Sequence, residues 1–306
     1  MKTVAHAPAQ NRTLEFALLG LLALLWGSSY LLIKIALGSI PPFTLIAIRV
    51  SIAAALLLAV VRLRHERFPI DTATWRAFVV QAFFNSVGAW SVLAWGQQYV
   101  DSGLAGVLNS TSPLFVFLLT LLWTRHEPIT ARKGVGAALG LAGVVLVLGV
   151  DVLAGIGQQV VAQVAVLFGA FLYACAALNG RRFAALSPTV TAAATMICAA
   201  ACLVPASLVI DRPWNLQPSS LALAAAIALG VFCTGLALLL YFRLLRTLGP
   251  MGVTSQSYLR CGISVLLGMI VLGEEVTATV GVGLRLIALG VAAINTQKKT
   301  PPQASA

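Results

Sequence analysis

Residues 43–61 read Phe43-Thr-Leu-Ile-Ala-Ile-Arg49-Val-Ser-Ile-Ala-Ala-Ala-Leu-Leu-Leu-Ala-Val-Val61, with one charge in the whole stretch. A helix rises about 1.5 Å per residue and needs about 20 apolar residues to cross roughly 30 Å of hydrocarbon. The stretch has that length and lacks the alternation of polar and apolar residues of a barrel strand. A backbone in lipid must satisfy its own hydrogen bonds, so the stretch reads as a membrane-spanning helix. Nine more of the same kind lie outward from it, near 16–35, 77–98, 103–124, 134–150, 160–179, 190–210, 219–242, 252–272 and 279–296. Only Tyr99-Val-Asp-Ser102 separates the third from the fourth.

Composition agrees. Of 306 residues, 59% are hydrophobic and 9% charged, against roughly 25% charged in a soluble domain. So few ionic side chains cannot coat a water-facing surface, which excludes a soluble enzyme, a disordered tail and a nucleic-acid binder. The expected fold class is all-α, a polytopic membrane protein with ten transmembrane helices.

The net charge of +11 is a matter of placement. With the N-terminus taken as cytoplasmic, fifteen of the twenty Lys and Arg fall in the termini and inner loops, and Arg212 alone falls in an outer loop. Basic residues collect on the cytoplasmic side of membrane proteins, so both termini are expected in the cytoplasm. The first apolar run exceeds the core of a signal peptide and no small-residue cleavage site follows it, so it is expected to be retained. All five cysteines (Cys175, Cys198, Cys202, Cys233, Cys261) lie in apolar segments, where they read as small hydrophobes and not as a disulfide framework.

The halves echo each other at an offset of 147 residues. Trp26-Gly27 with Lys34 falls against Tyr173-Ala174 with Arg181, Pro41 against Pro188, and Glu127-Pro-Ile-Thr130 against Glu274-Glu-Val-Thr277. The expected organisation is therefore two five-helix repeats, 1–150 and 151–306. An odd number of spans makes the second copy enter the membrane inverted. Inverted repeats build many secondary transporters, whose substrate site lies near the midplane between the halves.

Several runs carry a family likeness: Trp26-Gly-Ser-Ser29 with Lys34, the segment Phe43–Val50 around Arg49, Gly103-Leu-Ala-Gly-Val-Leu-Asn109-Ser-Thr-Ser-Pro113-Leu-Phe115, Tyr258-Leu259, and Leu266 through Glu274. In their order and five-plus-five layout they resemble the EamA-type branch of the drug/metabolite transporter superfamily over roughly residues 14–296. The resemblance implies a ten-helix bundle that moves small metabolites by alternating access, often outward. Two departures stand out. Cys261, preceded by Arg260, occupies a place usually held by proline, and Arg285 stands where a small or apolar residue is expected.

Four cations lie within spans: Lys34, Arg49, Arg260 and Arg285. Each costs at least about 2.5–3.5 kcal/mol at a helix centre on insertion scales and needs a reason. Lys34, near an outer helix end, can snorkel or bind ligand. Arg49 reads first as a structural contact, Arg260 near the midplane as cavity-lining, and Arg285 as either. No Asp or Glu falls inside the ten spans, so a ligand carboxylate or phosphate is the natural counter-ion, held bidentately by Arg. The missing acids also remove the usual proton-coupling group, which favours facilitated diffusion or exchange.

Uncharged polar residues form stripes. In the third span Gln81, Asn85, Gly88 and Trp95 recur at helical spacing. The fourth carries Asn109, Ser110, Thr111 and Ser112 before Pro113, whose ring frees a carbonyl; the ninth carries Gln256, Arg260 and Ser264. Such stripes line cavities or bond helix to helix, the latter worth about 0.6 kcal/mol per contact. Gly136, Gly140, Gly281 and Gly283 read as close-packing positions. The candidate substrate-binding set is Lys34, Gln81, Asn85, Trp95, Asn109, Ser112, Tyr173, Gln256, Tyr258 and Arg260.

The expected function is a secondary transporter, an exporter of amino acids or related carboxylates across a bacterial-type inner membrane. Alternatives are transport of organic phosphates and other anions or of drug-like solutes. An intramembrane enzyme is disfavoured because His6, His65 and His126 lie in the tail or loops and no paired carboxylate or zinc pattern lies in a span. No cofactor is expected. The expected partners are a small-molecule substrate and the bilayer; the sequence leaves the oligomeric state open and is compatible with a monomer.

Overall fold

Prolines and short polar residues mark where helices begin. Pro42 and Pro188 sit in first turns, where a missing N–H costs nothing. Asp71 and Ser219 cap two further helices by accepting from the amides of Thr74 and Ala222. The computed structural model describes residues 12–119, 131–153, 157–183, 185–247 and 256–295, and these form ten helical spans. They are α1 (Arg12–Ala36), α2 (Pro42–Leu63), α3 (Thr72–Ala82, then Phe83–Gly88 and Ala89–Gly96) and α4 (Ser102–Asn109 and Ser112–Leu119). They continue as α5 (Ala131–Leu153), α6 (Gly157–Gly180) and α7 (Pro188–Ile210). The last three are α8 (Ser220–Gly230, then Val231–Leu236 and Ala237–Thr247), α9 (Gln256–Leu267 and Gly268–Leu272) and α10 (Ala278–Asn295).

Seven described helices are long and apolar enough to cross a membrane, and three shorter apolar helices complete the set. Phe16, Val145, Val209 and Ile270 are among the large apolar side chains that stay exposed on the bundle's rim. In water such an apolar belt would be a liability; in lipid it is a solvent match. The Glu127–Thr130 half of the repeat signature, together with His126, Arg125, Lys2, Lys298 and Lys299, lies outside the described residues.

Contacts between helices follow the repeat. The most extensive pairs are α5 with α10 and α2 with α7, each joining equivalent helices of the two halves. α1 packs on α9 as α4 packs on α6, and α1 on α8 as α3 on α6. The α5–α10 pair closes backbone to backbone through glycine. A Cβ on Gly143 would meet the Gly283 carbonyl oxygen at 2.6 Å, and one on Gly290 would meet the Gly136 carbonyl oxygen at 2.5 Å. Gly136, Gly140 and Gly283 thus sit at the interface, whereas a Cβ on Gly281 would meet the Val276 side chain at 3.9 Å, an ordinary contact within the same stretch.

Three departures from regular helix matter. Residues Phe83–Gly88 of α3 and Val231–Leu236 of α8 each wind as a π-helical turn, at matching places in the two halves. Such turns cluster at functional sites because each inserts a residue and rotates the rest of its helix. The third-span stripe is corrected by this: the inserted residue breaks the helical register between Gln81 and Trp95. α4 breaks at Ser110–Thr111, just before Pro113. α1 also starts earlier than expected and so includes Glu15, which is buried. The expectation of acid-free spans fails there, because a polar pair at a helix start satisfies the charge.

That pair is Glu15 with Arg243, at 3.0 Å, and with the Thr247 hydroxyl. It belongs to a set of carboxylate contacts between the halves. Asp211, ending α7, accepts from the amide and hydroxyl of Thr44 at the start of α2 (2.7 and 2.9 Å). At the other end of the same pair, Glu66 accepts from Ser187, which precedes α7, and Arg64 donates to Thr189. Glu274 accepts from the amides of Ser102 and Gly103 (2.6 and 2.9 Å), the opening turn of α4. Gly273, in the left-handed region at φ +68°, ends α9 and returns the chain for that contact. Acidic groups at helix N-termini satisfy orphan amides and the helix dipole.

Glycine's role at the α5–α10 seam is testable. Gly143→Val is expected to lower the melting temperature of the purified protein, since overpacking costs about 1–3 kcal/mol. Gly20→Ala, where nothing lies within 4 Å, is expected to leave it unchanged or raise it.

Candidate functional site

Arg49 lies about two turns below the start of α2, roughly 10 Å into the bundle at 1.5 Å per residue. It is 5% exposed, so its charge has to be met by protein groups. Its Nε donates to the Thr234 hydroxyl at 2.8 Å, and its guanidinium lies 3.9 Å over the Trp90 ring. A desolvated cation over an aromatic face gains about 2 kcal/mol or more, and a charged hydrogen bond about 1.5–3 kcal/mol. Both partners come from π-turn helices: Thr234 lies inside the α8 turn and Trp90 comes just after the α3 turn. Thr234 also donates to the Leu229 carbonyl, tying down its own distorted turn.

Trp90 passes its indole N–H to the Tyr173 hydroxyl of α6. Arg49, Tyr30 and Arg260 lie within electrostatic range of Tyr173, which brings groups of α1, α2 and α9 near this α6 side chain. Tyr30 of α1 accepts at its hydroxyl from Asn109 Nδ2 of α4 (2.7 Å). Gly27 lets α9 come this close to α1, because a Cβ there would meet Ile263 at 2.6 Å and the Arg260 carbonyl at 3.1 Å. The Trp26-Gly27 motif thereby has a physical reason: it seats the turn that carries Arg260. Ser28 and Cys233 complete the α1–α8 contact beside Arg49.

Tyr173, Asn109 and Arg260 of the candidate set fall in this cluster, and Gln256 lies one turn away from Arg260, buried. Others fall elsewhere. Lys34 donates to the Gln97 and Val100 carbonyls, both at 2.9 Å, and so caps the C-terminal end of α3, away from this cluster. Ser112 donates to the Asn109 carbonyl at 2.7 Å, the very acceptor that proline at 113 cannot serve, so its hydroxyl repairs the α4 break. Gln81 bonds Asn179 of α6, and Asn85 bonds its neighbour Ser86. Trp95 is 40% exposed and packs against Tyr99, turned outward by the π turn. The Tyr258 side chain lies outside the described residues, and Arg285 is exposed.

Tyr30, Trp90 and Thr234 escape sequence reasoning. The cost of burying Arg49 signals that partners must exist, but nothing in the chain says which aromatic or hydroxyl meets it. Two cavities, of about 180 and about 380 Å³, open among the helix ends on the side where α1 finishes, and no residue of the cluster lines either. Glu274 and Asp101 edge the smaller; Trp95, Phe43 and Ile210 line the larger, apolar one. Among the described residues, no acidic side chain bonds Arg49 or Arg260, and no group of three or more His, Cys, Asp or Glu is placed to hold a metal ion.

Thr234→Val keeps the shape but leaves Arg49 Nε without its acceptor. It is expected to lower stability by about 1–3 kcal/mol, the cost of an orphaned buried donor, read as a lower melting temperature; Thr234→Ser is expected to restore it.

Comparison with known proteins is consistent with a transporter bundle of this kind. The model of the EamA-like transporter family matches residues 14–149 and 161–296. The chain is 30% identical over 285 residues to "Uncharacterized inner membrane transporter YedA" of Escherichia coli K12, covering 92% of this chain and 91% of that protein. It is 21% identical to "Uncharacterized transporter YoaV" of Bacillus subtilis, covering 88% and 92%. A solved crystal structure superimposes with a TM-score of 0.64 at 22% identity, over 92% of this chain and 97% of that one, which supports the fold. With the family model spanning both halves, the chain belongs to the EamA-like transporter family of the drug/metabolite transporter superfamily, a family of membrane transporters and not of enzymes.

Proposed function

We propose that the protein exports small carboxylate-bearing metabolites, amino acids among them, across the inner membrane by alternating access. The observation that carries this reading is the pair of guanidinium groups, Arg49 over the Trp90 ring and Arg260 on α9, both within electrostatic range of Tyr173 and neither bonded by a described carboxylate. The described acids that could balance them are used at the ends of the bundle instead: Glu15, Glu66, Asp211 and Glu274 all bind helix starts or basic partners there. A core that is positive and aromatic favours an anionic group and disfavours a hydrophobic cation. Arg49 is already engaged by Thr234 and Trp90 and organises the site, which leaves Arg260 to meet the carboxylate.

The halves 1–150 and 151–306 are the units that rock, about a substrate held between α1, α4, α6 and α9. Both termini are cytoplasmic, a reading supported by fifteen basic residues on one side against Arg212 on the other. The protein resides in the inner membrane, where the name of YedA also places that relative.

Two measurements test this. A fluorescent-protein fusion at the C-terminus is expected to light up in the cytoplasm, and an alkaline phosphatase fusion there to be inactive. In proteoliposomes, Arg260→Ala is expected to raise KM for a transported carboxylate by about tenfold or more, the loss of a charged hydrogen bond of about 1.5–3 kcal/mol. An unchanged KM would remove Arg260 from the site.

A further inference from the structure

We propose that Asn109 and Arg260 form one subsite for the backbone of an α-amino acid, with the guanidinium taking the carboxylate and Asn109 Oδ1 taking the ammonium group. The proposal rests on the reading that the cargo carries a carboxylate, and it adds what the other end of the cargo meets.

The two residues are neighbours by helix register. α4 and α9 run antiparallel and touch in steps: Gly103 lies against Val265, Gly106 against Ser264, and Ser110 beside the Cys261 thiol. Asn109 and Arg260 are the residues immediately preceding that last pair. Tyr30 approaches Gly106 and holds Asn109, while Tyr173 neighbours both Tyr30 and Arg260. Gly106 is required here, because a Cβ on it would collide with the Ser264 side chain and push α4 off α9.

Both groups carry unspent capacity. Asn109 is 3% exposed; its Nδ2 is committed to the Tyr30 hydroxyl, and its Oδ1 is buried with no hydrogen-bond partner. Arg260 Nε is likewise buried and unpartnered. Buried polar atoms are almost always satisfied, and an orphan costs about 1–3 kcal/mol. A bare acceptor and a bare cationic donor, one on each of two adjoining helices, match a ligand that carries an ammonium group and a carboxylate close together. In the orientation of the structure the amide spends Nδ2 on the Tyr30 hydroxyl, and the atom left free is the acceptor. An acceptor cannot be satisfied by a phosphate dianion or by the second carboxylate of a dianion, which offer no proton. This geometry therefore selects a zwitterion over the other anions that two arginines alone would admit.

The experiment is binding to the detergent-purified full chain, by thermal shift and calorimetry, of the twenty common amino acids and of the des-amino carboxylic acid of each. At least one amino acid is expected to stabilise the wild type, and its des-amino analogue to bind at least tenfold more weakly. Asn109→Leu is expected to reduce the amino acid to the affinity of its analogue and to leave the analogue unchanged. Arg260→Ala is expected to weaken both. Asn109→Asp keeps an acceptor in the same shape and is expected to retain or strengthen amino-acid binding, which keeps the test open if Asn109→Leu does not fold. Equal affinity of amino acid and analogue in the wild type, or an equal loss of both in Asn109→Leu, would overturn the subsite. Binding of the carboxylic acids with no amino acid bound would overturn the subsite and spare the carboxylate reading. Binding of neither kind would overturn both.

Discussion

A guanidinium that cannot reach water has to be solvated by the protein, and the packing around Arg49 obeys that constraint. The side chain is too deep in α2 to snorkel, and no described carboxylate neutralises it. A hydroxyl and an indole face meet it instead, from α8 and α3. Each of these helices uses a π turn near the contact, which rotates the partner toward the centre at the cost of regular backbone bonding. The polar chain then runs on through Trp90 to Tyr173, whose neighbours Tyr30 and Arg260 bring in α1 and α9. One buried charge thus draws helices from both repeats into a single polar cluster.

The acids obey a complementary logic. Desolvating a carboxylate costs several kcal/mol unless it is well paired, and four of the described acids sit near the ends of the bundle and bond groups of the opposite half. Asp211 binds the start of α2, Glu66 the residue before α7, Glu274 the start of α4, and Glu15 the α8 end at Arg243. These contacts join the repeats at both ends of the bundle. The α5–α10 glycine seam joins them along its length by dispersion and close backbone approach. The alternating-access mechanism proposed above calls for such a division, with polar contacts that can break at the ends and a tightly packed axis that stays together.

Particular residues show how far the chain could be read without coordinates. The run around Arg49 announces a spanning helix because length and apolarity are one-dimensional properties. The repeat was legible at 147 residues of offset because its anchors are aromatic, proline and charged positions, which survive in low-complexity helices. Arg260 and Asn109 were legible as candidates because a polar group in lipid is conspicuous. Lys34, Ser112 and Trp95 were equally conspicuous and have other tasks. Lys34 caps the end of α3, Ser112 serves the carbonyl orphaned by proline at 113, and Trp95 is turned outward by an inserted residue. Partner choice in each case depends on a helix end or a register shift, and neither leaves a mark on residue type.

The sequence by itself determined the solvent, the helical class, the number of spans, the doubling of the fold and the family, because each derives from composition and spacing along the chain. Tertiary structure alone decided which polar residues share a site. That choice rests on crossing contacts such as Gly27 against Ile263 and Gly106 against Ser264, and on π turns that reset helix faces midway. Long-range proximity in a bundle is set by how surfaces interlock, and an apolar sequence with many interchangeable Leu, Ala and Val residues does not encode that interlocking locally.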